Sequence, residues 1–173
     1  MVKERRSRQS VGDMVRSLGL VLLIVGAVFF FAQPPHSDAK KIRVIDPSSD
    51  VQAFSTAVPG AAVPRALPTG WRSTVSVYDP DTGVLRIGWV TPKGEYAEYA
   101  AVAHPSATFV SDIVGSPQST GPVDIGGVTW QGYRQDKATS LVRAYGTSTV
   151  VLGTLRDTAS LGELRVLALR LGS

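Results

Sequence analysis

The sequence predicts an α+β protein. Its domain is expected to be a mostly antiparallel sheet of about six to seven strands with two helices packed on one face, preceded by an N-terminal transmembrane helix and a proline-rich stalk. From Gly70 onward, apolar and polar residues alternate with the period of two that half-buried strands require. Two stretches with helical spacing interrupt the alternation, and a charge-free apolar run lies near the N-terminus.

The first three strands are predicted in "WRSTVSVY", "GVLRIGWV" and "EYAEYAAVAH", and the stretches "DPDTG" and "TPKG" between them are typical of turns. The alternation assigns one set of residues in each strand to a common face. These sets are residues 71, 73, 75 and 77, then residues 85, 87 and 89, and then Tyr99 with Ala101 and Ala103.

A helix is predicted in "PSATFVSDIVG", where apolar residues recur at helical spacing before Gly115. Four strands follow as two hairpins, "PVDI" with "VTWQGYRQ" and "SLVRAY" with "TVVLGTL". The pair Gly126-Gly127 favours a tight hairpin turn; a phosphate-binding loop would need a longer glycine pattern that leads into a helix. The chain closes with a second helix, which begins at the capping box formed by Ser160 and Glu163.

Composition excludes several classes of function. The chain has no cysteine, so it has no disulfide, thiolate metal site, cysteine nucleophile or lipid-modified cysteine. Residues 1–16 hold five basic and two acidic residues and supply most of the net charge of +4. Because the remainder is nearly neutral, no nucleic-acid partner is expected.

The N-terminus predicts a membrane anchor. Residues 17–32 carry no charge and are apolar on every face, which is typical of a segment in a bilayer. We assign residues 1–16 as a basic cytoplasmic tail and residues 17–36 as a single transmembrane anchor. A cleaved signal peptide is the alternative, but the run ends in three phenylalanines without a small-residue cleavage site. The excess of basic residues before the anchor predicts that the N-terminus is inside and the C-terminal domain is outside the cytoplasmic membrane.

Residues 37–68 are predicted to be a stalk, because six of the eleven prolines lie between residues 33 and 68. The extracytoplasmic α+β domain is then expected to span residues 69–173. Within the stalk, "KIRVID" has the pattern of a short strand, and "SSDVQAFSTAV" that of a helical turn or two after an Asp50 cap. The sequence leaves open whether residues 41–58 dock on the domain.

Catalytic and metal-binding motifs are not recognisable, and no cofactor is predicted. "DPDTG" resembles the start of a calcium loop, but its glycine comes one residue early and the acidic residue at the twelfth position is absent. His104 is the only histidine in the domain, and a catalytic role would require an orienting carboxylate such as Asp112. The tryptophans fit apolar strand faces and are expected in the core.

Four residues are candidates for binding a ligand or partner: Tyr133, Tyr99, His104 and Arg134. Tyr133 differs from Trp130 in strand parity and should face the other side of the sheet. If no helix covers that side, it is the surface where a binding patch is expected.

The chain also resembles a known family. The stretch "LPTGWRSTVS" after a proline-rich segment, the later "GGVTWQGYR", and an amphipathic helix behind "TVVLGTL" are similar to small single-pass membrane proteins of high-GC Gram-positive bacteria, which are catalogued as a domain of unknown function. The shared pattern consists of an LPxGW motif and a GGxxW motif. The resemblance implies location and architecture and carries over no functional residue. The order of elements is also similar to antiparallel α+β domains of the PsbP and Mog1 type.

These observations favour a non-enzymatic binding or interaction module of the cell envelope, whose partners are the bilayer through residues 17–36 and an envelope protein, lipid or glycan. One alternative is an envelope hydrolase or metal-dependent enzyme that uses His104 with nearby carboxylates. Another is a membrane-assembly component that acts through its transmembrane helix.

Overall fold

Seven strands form one antiparallel sheet in the computed structural model, which describes residues 43–154 and 157–172 together with Gly19. The strands are β2 (Arg72–Asp79), β3 (Val84–Val90), β4 (Tyr96–Ala103), β5 (Gln118–Ile125), β6 (Val128–Gln135), β7 (Ala138–Tyr145) and β8 (Ser148–Leu152). Their order across the sheet is β2-β3-β4-β8-β7-β6-β5. Two consecutive meanders therefore meet where β8 pairs with β4 at the centre.

Three helices and a small second sheet complete the described fold. The helices are α1 (Ser48–Ala57), α2 (Phe109–Val114) and α3 (Leu161–Ala168), and the short strands β1 (Val63–Pro64) and β9 (Leu171–Gly172) pair with each other. From β2 to α3 the chain runs through three strands, a helix, four strands and a helix. This order and the antiparallel pairing confirm the α+β prediction.

The Gly126-Gly127 pair forms the turn between β5 and β6. Both residues have positive φ, at 64° and 77°, which a side chain would resist. The carboxylate of Asp124 accepts a hydrogen bond from the Gly127 N–H at 3.2 Å and holds the turn. The glycine pair is therefore a hairpin turn, as predicted.

The larger core lies on one face of the sheet, beneath α1 and α3. Its fully buried side chains include Phe54 of α1, Leu164 and Leu167 of α3, and residues that the strands direct to this face: Leu85, Ile87, Tyr99, Trp130, Leu141 and Leu152. We call this side of the sheet the α1/α3 face. Alternation along each strand explains why these residues share it.

A smaller core lies on the opposite face, which we call the α2 face. There Phe109, Ile113 and Val114 of α2 pack with Ala100, Val102 and Val151 of the two central strands. The prediction that both helices pack on one face is therefore wrong. The α2 helix lies in the connection from the central strand β4 to the edge strand β5, which crosses the α2 face of the sheet. The α3 helix follows β8 and packs on the α1/α3 face.

A β-bulge in β2 overturns a second expectation. Ser73 pairs with Trp89 and Val75 pairs with Gly88, so the register shifts between them. The shift leaves Ser73 on the α1/α3 face and turns Val75 and Val77 to the α2 face, where they are 42% and 54% exposed. The prediction of strict alternation over residues 71–77 is wrong, because the extra residue at the bulge turns the side chains that follow it to the opposite face of the sheet.

Residues 43–68 belong to the same compact unit as the sheet, which begins at Arg43 and not at residue 69. Phe54 of α1 is fully buried, and the Ile45 N–H donates to the Ser73 carbonyl at 3.0 Å. The helix begins after Pro47, and Asp50, predicted as its cap, instead lies in its first turn and accepts from the Ser76 hydroxyl. Residues 43–58 thus dock on the domain, and this part of the predicted stalk is structured.

The predicted tail and anchor, residues 1–36, lie outside the described residues except for Gly19. Among the residues that the structure describes, no helix is long and apolar enough to span a bilayer.

Candidate functional site

A cleft of about 710 Å³ opens between α1, residues 64–67 and the β2–β3 end of the sheet. Its volume lies within the range of roughly 300–1,000 Å³ that is typical of small-molecule sites. Each wall comes from a different part of the chain, so the cleft exists only because residues 43–68 dock against the sheet.

The walls of the cleft are mainly apolar. The floor is formed by Ile87 and Trp89, alternate residues of β3 that are almost completely buried. Val51 contributes from α1, and Leu67 and Trp71 from the segment that leads into β2. The Trp71 N–H donates to the Pro68 carbonyl at 3.3 Å, a turn contact at the base of this wall.

The rim of the cleft is polar. Asp46, Gln52 and Arg65 line it and are all exposed. The backbone N–H of Ser48 donates to Asp46 Oδ1 at 2.9 Å, and this hydrogen bond lowers the pKa of the carboxyl below its usual value. The two charged residues of the rim, Asp46 and Arg65, are thus accessible to solvent, whereas neutral side chains form the inner walls.

One residue of the cleft wall carries a buried polar atom. The Ser73 side chain is buried, and its Oγ has no hydrogen-bond partner among the described residues. The bulge in β2 places it beside Trp89, on the face that lines the cleft.

A second cavity of about 420 Å³ lies near the C-terminal end of α3 and the β5–β6 turn. Trp130 and Tyr145 line it and meet edge to face, with their ring centroids 6.0 Å apart. A Cβ on Gly126 would lie 2.7 Å from Leu169 Cδ2, so this glycine also makes room for the chain that follows α3. Trp130 is 1% exposed and serves mainly as a core residue, as predicted.

A polar cluster lies where β4 meets the segment before α3; Glu98, Thr154 and Asp157 are buried in it, and Arg86 is half exposed. Arg86 Nε lies 2.6 Å from Glu98 Oε1, and the Thr154 hydroxyl donates to Asp157 Oδ1 at 2.9 Å. Asp157 Oδ2 accepts from the Glu98 backbone N–H at 2.9 Å. Burial raises the pKa of Asp157 to about 7, although these hydrogen bonds favour the ionised form.

Two further carboxyl groups meet at the start of α3. A hydrogen bond with Glu163 raises the pKa of Glu95, while the backbone N–H of Ser160 acts in the opposite direction. Burial opposes ionisation of Glu163, but hydrogen bonds from Glu95 and Thr91 outweigh it and lower its pKa. Glu163 also forms the capping box with Ser160. The contact between Glu95 and Glu163 therefore serves mainly to hold the start of α3 in place.

The structure does not bring the four predicted binding residues together. Tyr133 is half-buried on the α2 face, beside Ser140 and Ser119 in the pairing, and Arg134 is exposed on the opposite face of the same strand. Tyr99 is fully buried in the core, and its hydroxyl donates to the Ala62 carbonyl at 2.8 Å. Neither cavity described above is lined by any of them.

His104 is exposed at the end of β4 with a left-handed backbone, at φ 52°. Its backbone N–H donates to the Thr147 carbonyl at 2.8 Å, but its side chain forms no hydrogen bond or ion pair with a described residue. Within residues 43–154 and 157–172, no group of three or more histidine or acidic side chains is arranged to hold a metal ion.

Sequence reasoning missed the residues that line the cleft. The core prediction is confirmed for Trp89, which is 5% exposed, whereas Trp71 is only partly buried against the core. That both also line a cleft was not predicted, and Ser73 was not singled out. A serine within an otherwise apolar set of a strand is a signal that could have identified it. No local pattern could have linked Glu98 to Asp157, because they lie 59 positions apart.

Comparison with known proteins gives one match. No curated protein and no solved structure matches the chain significantly. A model of the family described as "Protein of unknown function (DUF4245)" matches residues 6–171, nearly the whole sequence. This match confirms the predicted membership of a family of unknown function, and the chain belongs to the DUF4245 family.

Proposed function

We propose that this protein is a non-enzymatic binding module of the cell envelope, anchored by residues 17–36, whose cleft binds a lipid. The observation that carries the proposal is the cleft between α1 and β2–β3, which is apolar inside and polar at its rim. An open apolar cavity beside two tryptophans is costly to expose to water, and a hydrocarbon chain in it would remove that cost.

The composition of the walls favours a lipid over the other envelope partners. A glycan would require many accessible hydrogen-bonding groups, whereas the inner wall of the cleft consists mainly of apolar side chains. Each buried methylene group contributes about 0.8 kcal/mol, so a chain of moderate length could offset the entropy cost of association.

The predicted topology agrees with this choice. Only seven residues separate the end of the predicted anchor at residue 36 from Val44, which lines the cleft. A lipid-binding site on so short a tether would remain close to its source of ligand.

Photo-crosslinking of the full chain in bacterial membranes tests the proposal. The probe is a long-chain alcohol that carries an alkyl diazirine, and the crosslinked sites are mapped by tryptic digestion. Cleavage after lysine and arginine separates the cleft residues, in peptides 44–65, 66–72, 73–86 and 87–93, from the predicted anchor in peptide 17–40. We expect label in the cleft peptides; label confined to peptide 17–40 would mean that the probe contacts only the membrane segment.

A matched pair of variants makes this test specific. Ala66→Trp places a bulky side chain at an exposed position of the cleft wall and should reduce labelling of the cleft peptides at least fivefold. Ala53→Trp makes the same change at an exposed position of α1 that does not line the cleft. Equal loss of label in both variants would contradict occupancy of the cleft.

A further inference from the structure

The cleft and the second cavity meet at one arginine. Arg65 lines both of them. Nearby in the same segment, Ala62 lines the second cavity and Pro64 lines the cleft, a separation of about 7 Å along an extended chain. A ligand that occupied both cavities would therefore lie across Arg65.

Both cavities leave apolar surface in contact with water. Val44 lines the cleft and is 59% exposed, and Leu169 lines the second cavity and is 60% exposed. Two of the four large hydrophobic side chains that are exposed among the described residues thus lie at these cavities. A hydrocarbon chain in each cavity would cover this surface, which is favourable.

The guanidinium group of Arg65 has a defined place at this junction. It lies against the backbone of Gly172 in β9, where a Cβ would overlap it. The Arg65 N–H donates to the Arg170 carbonyl at 2.8 Å, so a second exposed arginine lies next to it in the chain that leads into β9. Asp46 is the one acidic residue that lines the cleft, and no described acidic residue lines the second cavity.

These charges favour a phosphate as the polar part of the ligand. A guanidinium group can bind two phosphate oxygens at once. Because it carries five N–H donors, Arg65 can bind a phosphate and keep contacts with protein groups at the same time. Arg65 is exposed, so the phosphate would remain in contact with water and avoid the cost of burying a charge. A fatty acid is also an anion, but its single chain would cover one cavity only.

We infer that the ligand is a phospholipid with two hydrocarbon chains, whose phosphate binds Arg65 while one chain occupies the cleft and the other occupies the second cavity. This inference rests on the proposed function for the cleft. It names the class of lipid and extends the site to the second cavity.

Photo-crosslinking of the full chain in bacterial membranes tests the inference with three probes. A phosphatidylglycerol and a diacylglycerol with the same chains carry an alkyl diazirine at the end of each chain, and a long-chain alcohol carries one. Label is scored in tryptic peptide 87–93 from the cleft and in peptide 166–170 from the second cavity. We expect the phosphatidylglycerol to label both peptides and the alcohol to label mainly peptide 87–93, because the cleft is the larger cavity.

Arg65→Gln tests the role of the phosphate. It should reduce labelling of both peptides by the phosphatidylglycerol about tenfold, the effect of losing a charged hydrogen bond. Labelling by the diacylglycerol, which has no phosphate, should not change. Labelling of peptide 87–93 by the alcohol should also persist, which shows that the cleft is intact. Arg134→Gln is the matched control, because Arg134 is exposed and lines neither cavity.

The outcomes separate the inference from the proposed function. If the phosphatidylglycerol labels peptide 87–93 but not peptide 166–170, the inference is wrong and the lipid site in the cleft remains. Equal effects of Arg65→Gln and Arg134→Gln would also overturn it, since label from general contact of Leu169 with the membrane does not depend on Arg65. If no probe labels peptide 87–93, both proposals fail.

Discussion

Asp157 and Glu98 join two distant parts of the chain: Asp157 Oδ2 accepts a hydrogen bond from the backbone N–H of Glu98 at 2.9 Å, across 59 positions of sequence. Glu98 lies in the central strand β4, and Asp157 precedes α3. The contact therefore fixes where the final helix starts relative to the middle of the sheet.

The first prediction concerns how the stability of the fold depends on the protonation of Asp157. Burial raises the pKa of Asp157 from 3.8 to about 7 in the folded protein. The folded state binds the proton of the Asp157 carboxyl group more tightly than the unfolded state does. Protonation of Asp157 therefore adds to the free energy of unfolding fully below about pH 4, and this contribution is lost as pH rises to about 7. Asp157→Asn should remove this contribution, so its unfolding free energy should fall less than that of the wild type between these pH values. The measurement is urea unfolding at a series of pH values.

Asp81→Asn controls for the loss of one negative charge, because Asp81 is exposed in the β2–β3 turn. Parallel pH profiles for wild type and Asp157→Asn would show that Asp157 does not hold its proton in the folded state.

A second prediction concerns Gly153, which follows β8. Its φ is +83°, and a Cβ at this position would lie 2.3 Å from the backbone oxygen of Thr139. Gly153→Ala should destabilise the protein by about 3 kcal/mol or more, the sum of left-handed strain and steric overlap. Denaturant unfolding followed by tryptophan fluorescence measures the loss.

Gly127→Ala is the matched control, since its φ is +77° but no atom lies within 4 Å of the added Cβ. It should cost about 1 kcal/mol. Similar losses in both variants would mean that strain alone, and not the approach of Thr139, determines the effect.

The third prediction distinguishes two of the tyrosines chosen from the sequence. Tyr99→Phe leaves the Ala62 carbonyl without its hydrogen bond in the core and should cost about 1–3 kcal/mol. Tyr133→Phe should change stability by less than about 0.5 kcal/mol, because its hydroxyl forms no hydrogen bond with a described residue. Thermal unfolding of both variants tests this; a neutral Tyr99→Phe would contradict the core assignment.

The fourth prediction concerns the capping box of α3, where the Ser160 side chain accepts from the Glu163 N–H. Ser160→Ala should cost about 1 kcal/mol. Thr108 occupies the same position before α2 but makes no side-chain cap bond, so Thr108→Ala should have a much smaller effect. The unfolding free energies of the two variants can be compared directly, and equal costs would argue against a stabilising cap.

The sequence was informative where structure depends on neighbouring residues. Alternation identified the strands, Gly126-Gly127 identified a turn, and Ser160 with Glu163 marked a helix start. The face that each helix covers was not predictable, because it depends on how the chain crosses between β4 and β5. The bulge at Ser73 also has no clear local signal, although it determines which residues reach the cleft.

The candidate site was less predictable than the fold, since its walls come from four separate segments. Phe54 anchors α1 by packing against residues of strands that are distant in sequence, and the cleft forms only when α1 is anchored in this way. Tyrosines and a histidine were chosen for their chemistry, but burial places Tyr99 in the core and leaves His104 exposed without a side-chain partner among the described residues.

Tryptophan quenching can show whether a lipid occupies the cleft between α1 and β2–β3. The three tryptophans of the chain are Trp71 and Trp89 in the cleft and Trp130 beside the second cavity. A brominated long-chain alcohol, added to the full chain in lipid nanodiscs, quenches indoles that it contacts. We expect strong quenching in Trp130→Phe, which keeps both cleft tryptophans, and little in the Trp71→Phe/Trp89→Phe double variant. Equal quenching in the two, or quenching of Trp130 alone, would contradict a lipid in the cleft.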